Sequence, residues 1–101
     1  MFRKLKTIAP AEAARAVGAG ELQLVDVRPA AAAAEGRVAG AVNIPLGELE
    51  GRIEEIDASR PVAFMCRSGM TSKQAVKLAR ARGLDALNVD GGANAWKKAI
   101  R

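Results

Sequence analysis

Apolar residues fall along this chain in short blocks that alternate between helical and extended spacing. Pro10 to Val17 is alanine-rich, and Gly18 and Gly20 stop the run. Pro10 suits a first helical turn, where its missing N–H would have no intrahelical partner anyway, so this block predicts a short helix. Leu22 to Val27 is apolar with β-branched content and is closed by Arg28-Pro29, which predicts a strand. Ala30 to Ala34 reads as a helical turn or a loop, since the alanines favour helix but have only methyl groups to bury. Ala41 to Ile44 predicts a brief strand ended by Pro45. Leu46, Leu49, Ile53 and Ile56 then recur at spacings of three and four, which predicts one amphipathic helix over 46–56 despite Gly47 and Gly51.

Pro61 opens an unbroken apolar run, Val62-Ala63-Phe64-Met65-Cys66, as expected of a central parallel strand covered on both faces. Arg67 to Thr71 interrupts the pattern. From Ser72, the residues Ala75, Val76, Leu78 and Ala79 mark one face of a helix ending at Gly83. Leu84 to Val89 predicts another strand and Ala93 to Ile100 a last helix after Gly91-Gly92. Short strands alternating with helices predict an α/β layered fold with a mostly parallel sheet. No linker, repeat or internal boundary is visible, so residues 1–101 read as a single domain, within the roughly 50 to 250 residues usual for one.

Composition narrows the chemistry. Of the apolar residues 22 are alanine, which leaves 27 bulky side chains for a modest core. No apolar run approaches the roughly 20 residues of a membrane span, and the basic start Met1-Phe2-Arg3-Lys4-Leu5-Lys6 leads into nothing resembling a signal peptide, so a cytoplasmic protein is expected. Without histidine there is no Ser-His-Asp triad, no Cys-His dyad and no mixed Cys/His zinc site. With the single cysteine Cys66 there is no internal disulfide, CxxC pair or four-cysteine metal cage. Neither a metal nor another cofactor is expected, and any sulfur chemistry runs through one thiol and ends on an external partner.

The net charge of +5 is uneven: residues 1 to 66 hold 8 basic and 9 acidic side chains, residues 67 to 101 hold 8 basic and 2 acidic. The excess raises the case for an anionic ligand. Nucleic acid is not expected, because Phe2, Phe64 and Trp96 are the only aromatic residues and do not interleave with the basic ones to form a stacking platform. Lys73, Lys77, Arg80 and Arg82 read mainly as a solvated helix face. Small anions fit where the charge meets a loop.

Cys66 ends the most buried strand, and ligands of open parallel sheets sit at the carboxyl ends of strands. The loop after it contains Gly69, free to take backbone angles that other residues avoid, and opens into a helix N-terminus. Inward-facing amides, the positive end of the helix dipole and Arg67 would favour an anion there and lower the thiol pKa. A lone cysteine is more often a small apolar core residue. Its placement at a strand end before this loop favours a reactive thiolate. Trp96 reads as core, and Asp26 with Arg28 as a structural ion pair rather than a site pair.

Four segments then resemble a known family in the right order: Asp26-Val27-Arg28, Glu35 through Pro45 (EGRVAGAVNIP), Cys66-Arg67-Ser68-Gly69, and Gly91-Gly92 with Ala95-Trp96. Together the chain resembles a single-domain rhodanese, a sulfurtransferase module, from the Pro10 helix to Lys98. The resemblance implies a rhodanese-like α/β fold, a five-stranded mostly parallel sheet with helices on both faces. It also implies that Cys66 is catalytic and carries a persulfide. A sulfane sulfur would pass from a small anionic donor such as thiosulfate to cyanide, an external thiol or a protein acceptor. Residues Arg67, Ser68, Gly69, Met70, Thr71 and Ser72 would form the substrate-binding loop, its amides cradling the terminal sulfur and Arg67 holding the donor.

The sequence departs from the family pattern in places. Arg37 stands where His is common, Ala32 and Ala33 replace an acidic-aromatic pair, and Thr71 occupies the place of a frequent second Arg, which weakens the case for tight thiosulfate binding. Relatives commonly continue a few residues beyond the position of Trp96, which leaves room for a module of something longer. Two other readings share the fold. Cysteine-dependent phosphatases and arsenate reductases of rhodanese ancestry need Cys, five residues, then Arg, because that Arg clamps two phosphate oxygens. Here the sixth residue after Cys66 is Ser72, and Cys66 has no second cysteine to resolve it. A non-catalytic binding or regulatory module is the other alternative, although such modules often lack the cysteine that this chain keeps.

Overall fold

A computed structural model describes residues 7–100. The basic N-terminal segment, Phe2 included, lies outside the described residues. Strands β1 (Thr7–Ile8), β2 (Gln23–Asp26), β3 (Ala41–Asn43), β4 (Val62–Met65) and β5 (Ala86–Val89) form one five-stranded sheet in the order β1-β5-β4-β2-β3. Every pairing among them is parallel, with Val25 beside Phe64 and Phe64 beside Asn88 at the centre. The helices are α1 (Pro10–Gly18), α2 (Ala30–Glu35), α3 (Leu46–Leu49), α4 (Ser72–Ala81) and α5 (Gly92–Ala99).

Strand β4 is central because its residues feed two cores. Ala63 and Met65 join Ala13, Ala16, Leu24, Leu87, Ala93 and Trp96 under α1 and α5. Val62, Phe64 and Cys66 join Val25, Leu49, Ala75 and Ala79 under α3 and α4 on the other face. Side chains alternate across a strand, so a strand covered on both faces must be apolar throughout, which is the unbroken run seen in the sequence. Phe64 is fully buried, worth about 1.5–3 kcal/mol relative to exposure. Trp96 is buried in the α1/α5 core as expected.

The helix expected over 46–56 is the main correction. Helix α3 stops at Leu49, a 3-10 segment runs over Glu50–Glu55, and Arg52 leaves helical geometry at φ −122, ψ 15. Glycine weakens a helix interior by about 1 kcal/mol relative to alanine, and Gly51 immediately precedes Arg52, with Gly47 one turn earlier. Leu49 and Ile56 are nevertheless buried and Leu46 and Ile53 pack beside them, so the apolar spacing marked the docking face correctly. The alanines of 30–34 resolve as helix α2. Strand β1 had no visible signal, being only two residues held by β5.

Candidate active site

Cys66 is the first residue beyond β4, and α4 begins six positions later at Ser72. The intervening loop folds back over the sulfur: Cys66 Sγ accepts hydrogen bonds from the Gly69 N–H at 3.2 Å and the Ser72 N–H at 3.3 Å. Helix α4 has no side-chain cap at Thr71, so the Cys66 sulfur takes one of the N–H groups that a helix start leaves unpaired. An anionic sulfur there is favoured by the amides and by the helix dipole together.

Helix α5 holds the loop from the opposite side. The Ala93 N–H donates to the Cys66 carbonyl at 2.8 Å and the Asn94 N–H to the Arg67 carbonyl at 3.0 Å. A trans peptide aims its N–H opposite to its C=O, so anchoring these carbonyls on α5 turns the Arg67 and Ser68 N–H groups away from it. Gly69 reaches its turn at φ +92, where other residues are strained, and a side-chain carbon there would crowd the Gly91 nitrogen at 3.1 Å. The pair Gly91-Gly92 lets the start of α5 approach the loop backbone closely.

Burial pushes the Cys66 thiol up, but the Ser72 hydroxyl and the N–H groups of Ser72, Gly69 and Ser68 outweigh it, holding the thiol below its ordinary value. The Ser72 hydroxyl has one proton, and its oxygen also lies within hydrogen-bond reach of Asn88 Oδ1. Of these donors, the amides are the ones committed to the sulfur. Cys66 is 4% exposed.

The structure brings Cys66, Gly69 and Ser72 together as a buried nest, while Arg67, Ser68, Met70 and Thr71 form its exposed rim. Met70 is 66% exposed at the tip. Arg67 makes no ion pair among the described residues. Asp26 and Arg28 form a buried pair, with Arg28 Nη2 2.7 Å from Asp26 Oδ2 and Nε 3.0 Å from Oδ1, and Arg28 Nη2 also donates to the Gly36 carbonyl at 2.8 Å. Hydrogen bonding to Asp26 holds the Arg28 guanidinium above its usual value against the effect of burial, with a smaller contribution from the charge of Cys66. The pair is therefore structural in geometry and also within electrostatic reach of the thiol. Arg37 is exposed beside a hollow of about 190 Å³ that Ala33 and Ala34 help line. Lys73 and Lys77 lie on the exposed face of α4, and Arg82 pairs with Glu50 at 3.0 Å. No group of three metal-ligating side chains occurs among the described residues.

Two residues at this site had no site role assigned from the sequence. Asn88 donates from Nδ2 to the Gly69 carbonyl at 2.9 Å and accepts from Ser72, and its only sequence signal is a polar residue interrupting the apolar run of β5. Gly92 faces the Cys66 backbone directly, and Gly91-Gly92 before a helix was the available clue.

Comparison with known proteins agrees with this architecture. A model of the rhodanese-like domain matches residues 9–99. YtwF of Bacillus subtilis strain 168 is 39% identical over 77 residues, covering 76% of this chain and 75% of its own. The thiosulfate sulfurtransferase GlpE of Shewanella oneidensis is 32% identical over 82 residues, covering 80% of this chain and 81% of its own. Among solved structures, reduced CoADR-RHD of Bacillus anthracis superposes with a TM-score of 0.87 at 31% identity over 95% of this chain, which spans only 17% of that longer protein.

Proposed function

The chain belongs to the rhodanese-like domain family, and from that premise we propose that it moves a sulfane sulfur from a small anionic donor such as thiosulfate, through a Cys66 persulfide, to a thiol or cyanide acceptor. The observation that carries this reading is the Cys66 sulfur held by the Gly69 and Ser72 amides with its pKa lowered. Support for the reaction class comes from relatives named as sulfurtransferases at 32% and 35% identity.

Both steps are displacements at sulfur. The Cys66 thiolate attacks the outer sulfur of thiosulfate, a new S–S bond forms, and the old one breaks with its electron pair leaving on sulfite. An acceptor thiolate or cyanide then attacks the outer sulfur of the persulfide, and the electron pair returns to Cys66 as thiolate. No proton needs to be removed from an ionised thiol, so the scheme works in a chain without histidine. The amides of the Arg67 to Ser72 loop would receive the charge of the terminal sulfur, the role that fixed donors play best in a buried site. Exposed Arg67 would draw the anionic donor, with Ser68, Met70 and Thr71 on the rim it crosses.

The test is the intact mass after incubation with thiosulfate. It should rise by one sulfur atom, return on adding cyanide or a reducing thiol, and stay unchanged in Cys66→Ser. An unmodified mass in the unsubstituted protein at saturating donor would replace this proposal with a binding-module reading.

A further inference from the structure

Position 88 is an odd place for an amide. It sits in β5 between Leu87 and Val89, its register partner on the central strand is Phe64, and the residue is 4% exposed. A buried polar side chain is destabilising unless its hydrogen bonds are made. Asn88 makes them to the two residues whose amides hold the sulfur. Its Nδ2 donates to the Gly69 carbonyl at 2.9 Å, and its Oδ1 accepts from the Ser72 hydroxyl. The Gly69 N–H and Ser72 N–H in turn reach Cys66 Sγ. The amide orientation is fixed by chemistry, since a flipped side chain would set oxygen against the Gly69 carbonyl oxygen.

We propose that Asn88 is the positioning residue of the cysteine loop, its carboxamide holding Gly69 and Ser72 so that their N–H groups converge on the Cys66 sulfur. The contacts form a closed circuit: sulfur to Gly69, Gly69 to Asn88, Asn88 to Ser72, and Ser72 back to sulfur. A side chain on a paired strand is a stiffer support than the loop itself. The connection of Asn88 to sulfur transfer rests on the reading of Cys66 as the sulfur carrier.

The test compares the pH midpoint for iodoacetamide alkylation of Cys66 in the unsubstituted protein, Asn88→Ala, Asn88→Asp and Leu87→Ala. Leu87 is the fully buried neighbour on the same strand, packed in the core on the other face, and reports general loosening. Asn88→Ala should raise the midpoint by about half a pH unit or more, and Asn88→Asp should raise it further, because a near-isosteric carboxylate repels both the Gly69 carbonyl and the thiolate. Each unit of rise leaves about tenfold less thiolate below the midpoint, and sulfur loading from thiosulfate should slow in proportion. Leu87→Ala should lose stability with its midpoint in place. Unchanged midpoints in the Asn88 variants, or an equal shift in Leu87→Ala, would overturn the proposal. If Asn88→Ala does not fold, Asn88→Asp and Asn88→Ser carry the same comparison. Alkylation needs no sulfur donor, so shifted midpoints in a protein that takes up no sulfur would sustain the positioning role and reject the sulfurtransferase reading. Normal sulfur uptake with unchanged midpoints would do the reverse.

Discussion

Gly92 packs its α-carbon against the Cys66 carbonyl so closely that a β-carbon at position 92 would overlap that oxygen and the Arg67 carbonyl carbon. The contact is backbone to backbone, so neither partner can rotate away. Gly92 also sits at φ +58, where other residues are strained. Gly92→Ala should therefore lower stability by about 2–4 kcal/mol, from strain and overpacking together, as read by urea unfolding. It should also slow Cys66 alkylation, because the displaced segment carries the amides that serve the sulfur. A variant of unchanged stability and reactivity would show that α5 does not set the loop.

The lowered Cys66 pKa makes stability depend on pH in a stated direction. Folding favours the thiolate, so this contribution is fully present above the unfolded thiol value of about 8.5 and is lost as pH falls through the folded value. Unfolding free energy, measured between those two values, should rise with pH in the unsubstituted protein relative to Cys66→Ser. Parallel curves for the two proteins would remove the case for a preformed thiolate site.

Thr71 and Arg67 are both exposed on the loop rim, where charge is screened. Thr71→Arg should lower the apparent Michaelis constant for thiosulfate about fivefold, or about 1 kcal/mol, and Arg67→Ala should raise it similarly. Both effects should shrink with added salt and be absent for an uncharged sulfur donor. Equal effects on charged and uncharged donors would leave donor selection to the backbone amides.

Asp26 and Arg28 are both buried, so removing one partner strands the other charge. Asp26→Asn should reduce stability by about 3–5 kcal/mol in urea unfolding. The double replacement Asp26→Leu with Arg28→Met should lose less than Asp26→Asn alone. A milder single than double substitution would mean that the pair contributes through its contacts to Gly36 and the backbone rather than through its charges.

Ser72 is wholly buried at the start of α4, at the place where a phosphate-clamping Arg would have to stand. Hydrolysis of an aryl phosphate should be negligible. Robust turnover abolished by Cys66→Ala would contradict the assignment of this loop to sulfur.

Much of this was legible in the chain. The uninterrupted run Val62 to Cys66 identified the central strand, because only a strand covered on both faces can be apolar at every position. Leu49 and Ile56 announced which side of 46–56 docks, while the break at Arg52 was hidden, since periodicity reports a face and not the continuity of its hydrogen bonds. Cys66 before a glycine loop and a helix start marked the candidate site, and its single thiol without histidine defined the class of chemistry open to it.

What the sequence by itself determined was therefore the alternation of elements, the buried strand and the thiol at its end, all of which depend on neighbours within a few residues. Tertiary structure alone decided the sheet order β1-β5-β4-β2-β3, which sets Asn88 beside Phe64, and the approach of Gly92 to Cys66. Asn88 and Gly92 lie more than twenty residues beyond the thiol they support. Their roles arise from packing two strands and two helix starts around one point, and a linear pattern does not encode the distance between elements that only the packed core brings together.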